Sequence, residues 1–338
     1  MDDDYFLNNY DFVSLEEIRD RFAKDGAKGI QDFNKEKQDA LRAVPLNIAV
    51  IGHSGVGKST FINAIRGLKS KDPGWAATGC VETTKVVTAY PQPGNEALQF
   101  WDLPGVGTEN FPQDRYLELV EFGRYDFFLI LSAVRFTGMD MWLGLEILKS
   151  KRKFFFVRTK IFLDVINDKF TYPDEHNEEQ LLLTIRTDIE DHLRKNAAMA
   201  PIFLIDSLRP RQFDFDELAV KLVQDFPDLK RDALTLAINN LSEKMIREKI
   251  KVLRREVLPL AFAAAAANAV PVPFSSVATD AGIIAAAISR FLTALGLDDT
   301  SLQVTSQRTG ISLLQLRTKV QEFFPSSVIT VNGITGLG

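Results

Sequence analysis

Five short apolar runs recur through the first two-thirds of the chain, at Leu46–Ile51, Leu98–Trp101, Phe127–Leu131, Phe154–Val157 and Ile202–Ile205. Each is bounded by polar or amphipathic stretches long enough for helices. That layout predicts parallel strands buried on both faces, because a strand covered by helices on each side has no solvent face to mark with polar residues. Lys85–Tyr90 (KVVTAY) alternates instead, and the turn PQPGN at Pro91–Asn95 joins it to the next run. So short a connection predicts an antiparallel hairpin at one edge of the sheet.

The stretch before Pro45 reads as helix, with Ser14 and Glu17 at capping-box spacing and Leu15, Ile18 and Phe22 at helical spacing. Beyond about Asp225 the period lengthens again. Leu234, Ile238, Leu241, Met245 and Val252 predict one long amphipathic helix. An alanine-rich tract, a last helical pattern over Leu314–Phe323 and a short strand at Ser327–Val331 follow. The expected organisation is an N-terminal helical segment over 1–45, an α/β domain over 46–224 and a helical region over 225–338.

Composition narrows the chemistry. With 338 residues, 46% hydrophobic and 25% charged, the chain can bury a sizeable core in about two domains. Forty Lys and Arg against 45 Asp and Glu leave a net charge of −5, so no basic field attracts nucleic acid. The single cysteine, Cys80, cannot form an intramolecular disulfide, and His53, His176 and His192 are scattered rather than spaced as metal ligands. The apolar tract Val257–Leu292 is interrupted by Asn268, Pro271, Pro273 and Asp280, short of the roughly 20 apolar residues a membrane span needs. Met1-Asp2-Asp3-Asp4 is acidic where a leader would be basic, and position 2 is not the glycine that myristoylation requires. The expected location is cytoplasmic, with membrane surfaces left open.

The strongest chemical signal is Gly52-His53-Ser54-Gly55-Val56-Gly57-Lys58-Ser59, a complete G-x-x-x-x-G-K-S followed by Thr60. It lies between a predicted strand and a predicted helix carrying Phe61, Ile62 and Ile65, the context the mechanism requires. Glycines let successive backbone N–H groups converge on an anion, and the helix adds the positive end of its dipole. Lys58 is expected on the β- and γ-phosphates and the Ser59 hydroxyl on Mg²⁺. Asp102-Leu103-Pro104-Gly105 ends the second apolar run. Asp102 is suited to hold Mg²⁺ through water and the Gly105 N–H to meet a γ-phosphate, so that hydrolysis releases the loop beyond. Between these motifs lies Thr78-Gly79-Cys80-Val81-Glu82-Thr83-Thr84, from which Thr84, or else Thr78, is the expected third magnesium group.

The motif series GHSGVGKSTFINAIRGL, TGCVETTK, FWDLPGVGT, FFFVRTK and PIFLIDSLRPRQFDFDEL resembles the immunity-related GTPases, the interferon-inducible or IRG group, over nearly the whole chain. The resemblance implies a Ras-like G domain combined with an all-α domain formed by the N- and C-terminal segments. It also implies binding of GTP and GDP with Mg²⁺, slow hydrolysis, homo- or hetero-oligomerisation through the nucleotide face, and innate defence at intracellular membranes. Glu82 would then act at a contact between two loaded G domains. Relative to the group, the segment after the last helical pattern is short, which leaves peripheral membrane contact through Leu314, Leu316, Val320 and Phe323 open beside a packed-core role for that stripe.

Two departures matter. Such GTPases read guanine with T/N-K-x-D, and here Thr159-Lys160-Ile161 is followed by Phe162. A phenyl ring accepts neither of the hydrogen bonds that guanine's ring N–H and amine give a carboxylate, each worth about 1–3 kcal/mol. Either Asp164 replaces it, or affinity rests mostly on the phosphates and on stacking over the Lys160 stem, with Thr159, Lys160 and Ser207 retained, or base selectivity is relaxed. Val106 occupies the place after Gly105 where Ras positions water with glutamine, so unaided hydrolysis is expected to be slow. The alternative to a GTPase is a nucleotide-blind scaffold of the same fold.

Overall fold

The computed structural model describes residues 15–79, 86–135, 137–195, 200–238, 242–255 and 288–323. These fall into two compact units, one spanning Leu41–Met245 and the other combining residues up to Ala40 with those from Ile246 onward.

The first unit is built on six strands: β1 (Leu46–Ile51), β2 (Thr88–Gln92), β3 (Asn95–Asp102), β4 (Phe127–Ser132), β5 (Lys153–Arg158) and β6 (Ile202–Leu204). Their order across the sheet is β2-β3-β1-β4-β5-β6. Every neighbouring pair is parallel except β2 with β3, the expected edge hairpin. All five apolar runs became strands. Because side chains alternate across a strand, β1 serves two cores at once. Leu46, Ile48 and Val50 pack with Phe61, Ile65 and Phe215, whereas Ala49 and Ile51 pack with Leu103, Tyr125 and Leu143. All six residues of β4 are buried, as its central place in the sheet requires.

Helix α2 (Lys58–Ile65) follows β1, and the short α3 (Tyr116–Leu119) precedes β4. After β4 come α4 (Gly138–Lys149), then α5 (Ile161–Thr171) and α6 (Glu178–Lys195) after β5, and α7 (Phe215–Gln224) and α8 (Asp228–Ala237) after β6. Phe61 of α2 and Phe215 of α7 meet on one face, ring centroids 5.8 Å apart. Leu143 and Ile147 of α4 and Ile189 and Leu193 of α6 fill the other.

The single long helix expected beyond Asp225 is broken: α8 stops where Ile238 turns extended (ψ 148°), and helix resumes over residues 243–255. Leu234, Ile238 and Met245 keep their apolar spacing because all three are buried in the same core as α2 and α7. Residues 225–245 accordingly pack with the sheet unit.

The N-terminal helix α1 (Leu15–Ala43), which belongs to the second unit up to Ala40, is interrupted at Gly26, whose φ of 60° no ordinary helical residue adopts. Ser14 of the capping box and the side chains of Leu15, Ile18 and Phe22 lie outside the described residues. The remainder includes helical residues 288–294, α9 (Asp299–Thr309) and α10 (Leu313–Phe323), with Arg317 of α10 ion-paired to Asp299 of α9. On α10 Leu314 is exposed, while Leu316 and Val320 are half-buried. Most of the alanine-rich tract and the strand expected at Ser327–Val331 lie outside the described residues. Among the described residues no helix is long and apolar enough to cross a membrane.

Candidate functional site

The site lies at the carboxyl ends of β1, β3, β5 and β6. Leaving β1, the chain turns at Gly52, whose φ is +155° and where an added Cβ would stand 2.2 Å from the Leu131 carbonyl oxygen. No side chain fits there. Gly55 and Gly57 adopt φ of +79° and +95°, the left-handed region that glycine enters without strain. Gly57 caps α2, and its carbonyl accepts from the Phe61 N–H at 2.8 Å. The first-turn N–H groups of Lys58, Ser59 and Thr60 therefore open onto the loop.

Lys58 is buried, and its Nζ donates to the carbonyls of Gly52 (3.0 Å) and His53 (3.2 Å). The Ser59 hydroxyl donates to Asp102 Oδ2 at 2.6 Å, joining residues 43 positions apart. Both are buried. A hydroxyl and a carboxylate oxygen in contact at the mouth of an amide-lined loop are hard donors, the set Mg²⁺ accepts when phosphates and water complete its shell. These residues fit the ion.

Asp102 is placed by pairing of β3 with β1, where it lies opposite Val50. After it the Leu103 N–H donates to the Val50 carbonyl at 3.0 Å. The Pro104 carbonyl accepts from the Tyr116 hydroxyl at 2.8 Å, which holds the loop toward the core. Gly105 lies close over the phosphate loop, with Gly52 O and the His53 Cα 3.5 and 3.6 Å from where its Cβ would be. Val106 is buried in the core beside β1 and β4. Thr78 is exposed, and the expected participants Glu82 and Thr84 lie outside the described residues.

His53 is half-buried, with Nε2 3.1 Å from the Thr137 hydroxyl, while Ser54 is exposed. Thr137 caps α4 reciprocally with Asp140: its hydroxyl oxygen accepts from the Asp140 N–H at 3.3 Å, while its backbone N–H and hydroxyl donate to Asp140 Oδ2 at 2.8 and 2.9 Å. Burial pushes the Asp140 carboxyl up from its usual range, and the bonds from Thr137 oppose that shift. Sequence reading identified neither Thr137 nor Asp140. The signal available was T-x-x-D just after an apolar strand.

The loop expected to read the base follows β5. Buried Thr159 donates through its hydroxyl to the Val56 carbonyl at 2.7 Å, and Lys160 donates to the Gly55 carbonyl at 2.7 Å, so both lash this loop to the phosphate loop. Asp164, in the first turn of α5, is paired with Arg158 at 2.7 Å. Burial raises its carboxyl and Arg158 pulls it back. Phe162 is half-buried, and the Arg209 guanidinium lies over its ring, 3.3 Å from the centroid. Arg209 was not singled out in the sequence, although it stands two residues past Ser207 in the loop after β6. The Ser207 hydroxyl is itself buried and makes no hydrogen bond.

A strand, a glycine loop and a helix facing a strand-end aspartate, on a sheet of this order with one antiparallel edge, define a P-loop G domain, here accompanied by a helical region. The model of the interferon-inducible GTPase (IIGP) family matches residues 14–328, and the chain belongs to that family. It is 38% identical over 295 residues to the mouse interferon-gamma-inducible GTPase 10, covering 87% of this chain and 70% of that protein. With the mouse interferon-inducible GTPase 1 it shares 35% identity, covering 86% and 72%. Among solved structures, an S. thermophilus NFeoB bound to GDP and AlF₄⁻ aligns over 64% of this chain and 91% of its own, at TM-score 0.32 and 14% identity.

Proposed function

We propose that this chain binds GTP with Mg²⁺, hydrolyses it slowly to GDP, and uses the γ-phosphate to control self-assembly through its nucleotide face. The observation that carries the reading is the 2.6 Å contact of the Ser59 hydroxyl with Asp102 beside the buried Lys58 ammonium. Lys58 and the first-turn amides of α2 hold the phosphate chain, and Ser59 and Asp102 hold the ion. Mg²⁺ supplies neutralisation of charge on the phosphate oxygens. Gly105, already close over the loop, offers its N–H to the γ-phosphate, and loss of that phosphate frees Pro104–Val106. Thr84 closes on the ion, and Glu82 acts across a contact between two loaded domains. The names of the matched relatives support an interferon-inducible setting, and we place the function in cell-autonomous defence, in the cytoplasm and peripherally on intracellular membranes.

Titration of wild type and Lys58→Ala with GTP and Mg²⁺ tests this. Charge-assisted bonds of this kind contribute about 1.5–3 kcal/mol, so the variant is expected to bind roughly 10–150-fold more weakly. Equal affinity would remove the phosphate site from the account. The second reading, a scaffold without turnover, is favoured by Phe162 lying under Arg209 and by Val106 in the core. It requires that no phosphate release accompany binding.

A further inference from the structure

At position 162 the segment expected to read the base carries no acceptor, where a guanine-specific site presents a carboxylate. A carboxylate at position 162 would accept from guanine's ring N–H and 2-amino group. Phe162 cannot, and the group laid against its ring is the Arg209 guanidinium, which has donors only. Two carboxylates close to position 162 or 209 in sequence, Asp164 and Asp206, are already engaged. Asp164 pairs with Arg158 at 2.7 Å. Asp206 is buried, accepts from the Leu208 N–H at 3.0 Å and lies 3.5 Å from Arg209. Releasing Asp164 to reach a base would leave Arg158, itself buried, with its bond to the Thr159 carbonyl at 3.1 Å but without its counter-ion, a costly exchange in a low-dielectric site. Arg209 is meanwhile held from two sides, by the face of Phe162 and by Asp206, so its planar fork is set in place before a ligand arrives.

We propose that Arg209, stacked on Phe162, is the specificity-determining residue of the base site, and that the site prefers a purine carrying oxygen at C2 over one carrying an amine there. A 2-oxo group accepts from the guanidinium, whereas a 2-amino group sets donor against donor. The favoured ligand class is thus the xanthine nucleoside triphosphate, with the hypoxanthine nucleotide, which has neither group at C2, bound no worse than guanine. The proposal rests on the phosphate site described above and concerns only which base accompanies the phosphates.

Calorimetric titration of the full chain with XTP, GTP, ITP and inorganic tripolyphosphate, each with Mg²⁺, tests it. XTP is expected to bind at least as tightly as GTP. Phe162→Asp should shift the XTP-to-GTP ratio at least about tenfold toward GTP, the effect of restoring a buried acceptor. Arg209→Ala should weaken XTP at least about fivefold more than GTP, since only a 2-oxo group uses its donors. Wild type that binds GTP more tightly than XTP, or an Arg209→Ala variant that weakens both alike, overturns the proposal. Tripolyphosphate separates the two layers: if it binds while GTP outranks XTP, only the base assignment falls. If neither it nor any nucleotide binds, the phosphate site and the base assignment fall together.

Discussion

At the scale of single residues, the phosphate cradle depends on positions where nothing else fits. Gly52 is the sharpest case, because a methyl group there meets the Leu131 carbonyl of the neighbouring strand at 2.2 Å. Gly52→Ala must push β4 away from β1 or unwind the turn. We expect a loss of about 2–4 kcal/mol in urea unfolding together with loss of triphosphate binding. Gly55→Ala meets no atom within 4 Å and strains only the backbone, so it should cost about 1 kcal/mol. The sequence made this part legible, since a glycine loop between an apolar strand and an amphipathic helix has one physical use. The base-reading part was legible only as a defect. Phe162 announced that a carboxylate was missing, but what covers its ring comes from a loop more than forty residues away, and no local spacing couples 162 to 209.

Whole elements show the same division. Strands were readable because burial on both faces leaves a continuous apolar signature, and the hairpin because its turn admits only an antiparallel return. The break at Ile238 was not, since the apolar period runs through it undisturbed while the backbone turns extended. Periodicity reports which face is buried and is silent about whether one helix or two supply it. The last strand, β6, has only three residues and relies on a side-chain anchor. Asp214 Oδ2 accepts from the Leu204 N–H at 2.7 Å and from Arg186 of α6 at 2.5 Å, and Arg186 also donates to the Ile202 carbonyl at 3.0 Å. Asp214→Ala strands a strand-end N–H and a half-buried guanidinium together. Destabilisation of about 1–3 kcal/mol in denaturant titration is expected, with partial recovery in Asp214→Asn, which keeps an acceptor for Leu204. Unchanged stability in the alanine variant would mean that β6 is held by its strand pairing alone.

For the molecule as a whole, the two units carry different burdens. The sheet unit carries the proposed nucleotide site, and the helical unit buries a lysine of its own. Lys249 is buried there, donating to the Ala294 carbonyl at 3.2 Å, and desolvation lowers its ammonium from the ordinary 10.5 to about 8. Between those two values the unfolded chain binds more protons than the folded one, so this group makes stability rise with pH from about 8 to 10.5. Below pH 8 the full cost of burying the charge is present. Lys249→Met should therefore raise the melting temperature at pH 7, with the advantage shrinking above pH 8 and gone by about 10.5. A gain constant across pH would assign the effect to packing instead. The proposed self-assembly also belongs to this scale. Turnover per molecule is expected to climb with protein concentration, because Val106 supplies no water-orienting group and a second loaded copy must do so. A flat dependence would mean that each molecule hydrolyses alone.

Trp101 sits one residue before Asp102, its indole N–H donating to the Asn47 side chain at 2.9 Å and its ring covered by the Arg124 guanidinium at 4.1 Å. An indole so fixed, one peptide unit from the carboxylate proposed to hold the ion, is a native fluorophore beside the proposed switch. With Trp75→Phe and Trp142→Phe removing the other two indoles, its emission is expected to follow loading and release in real time.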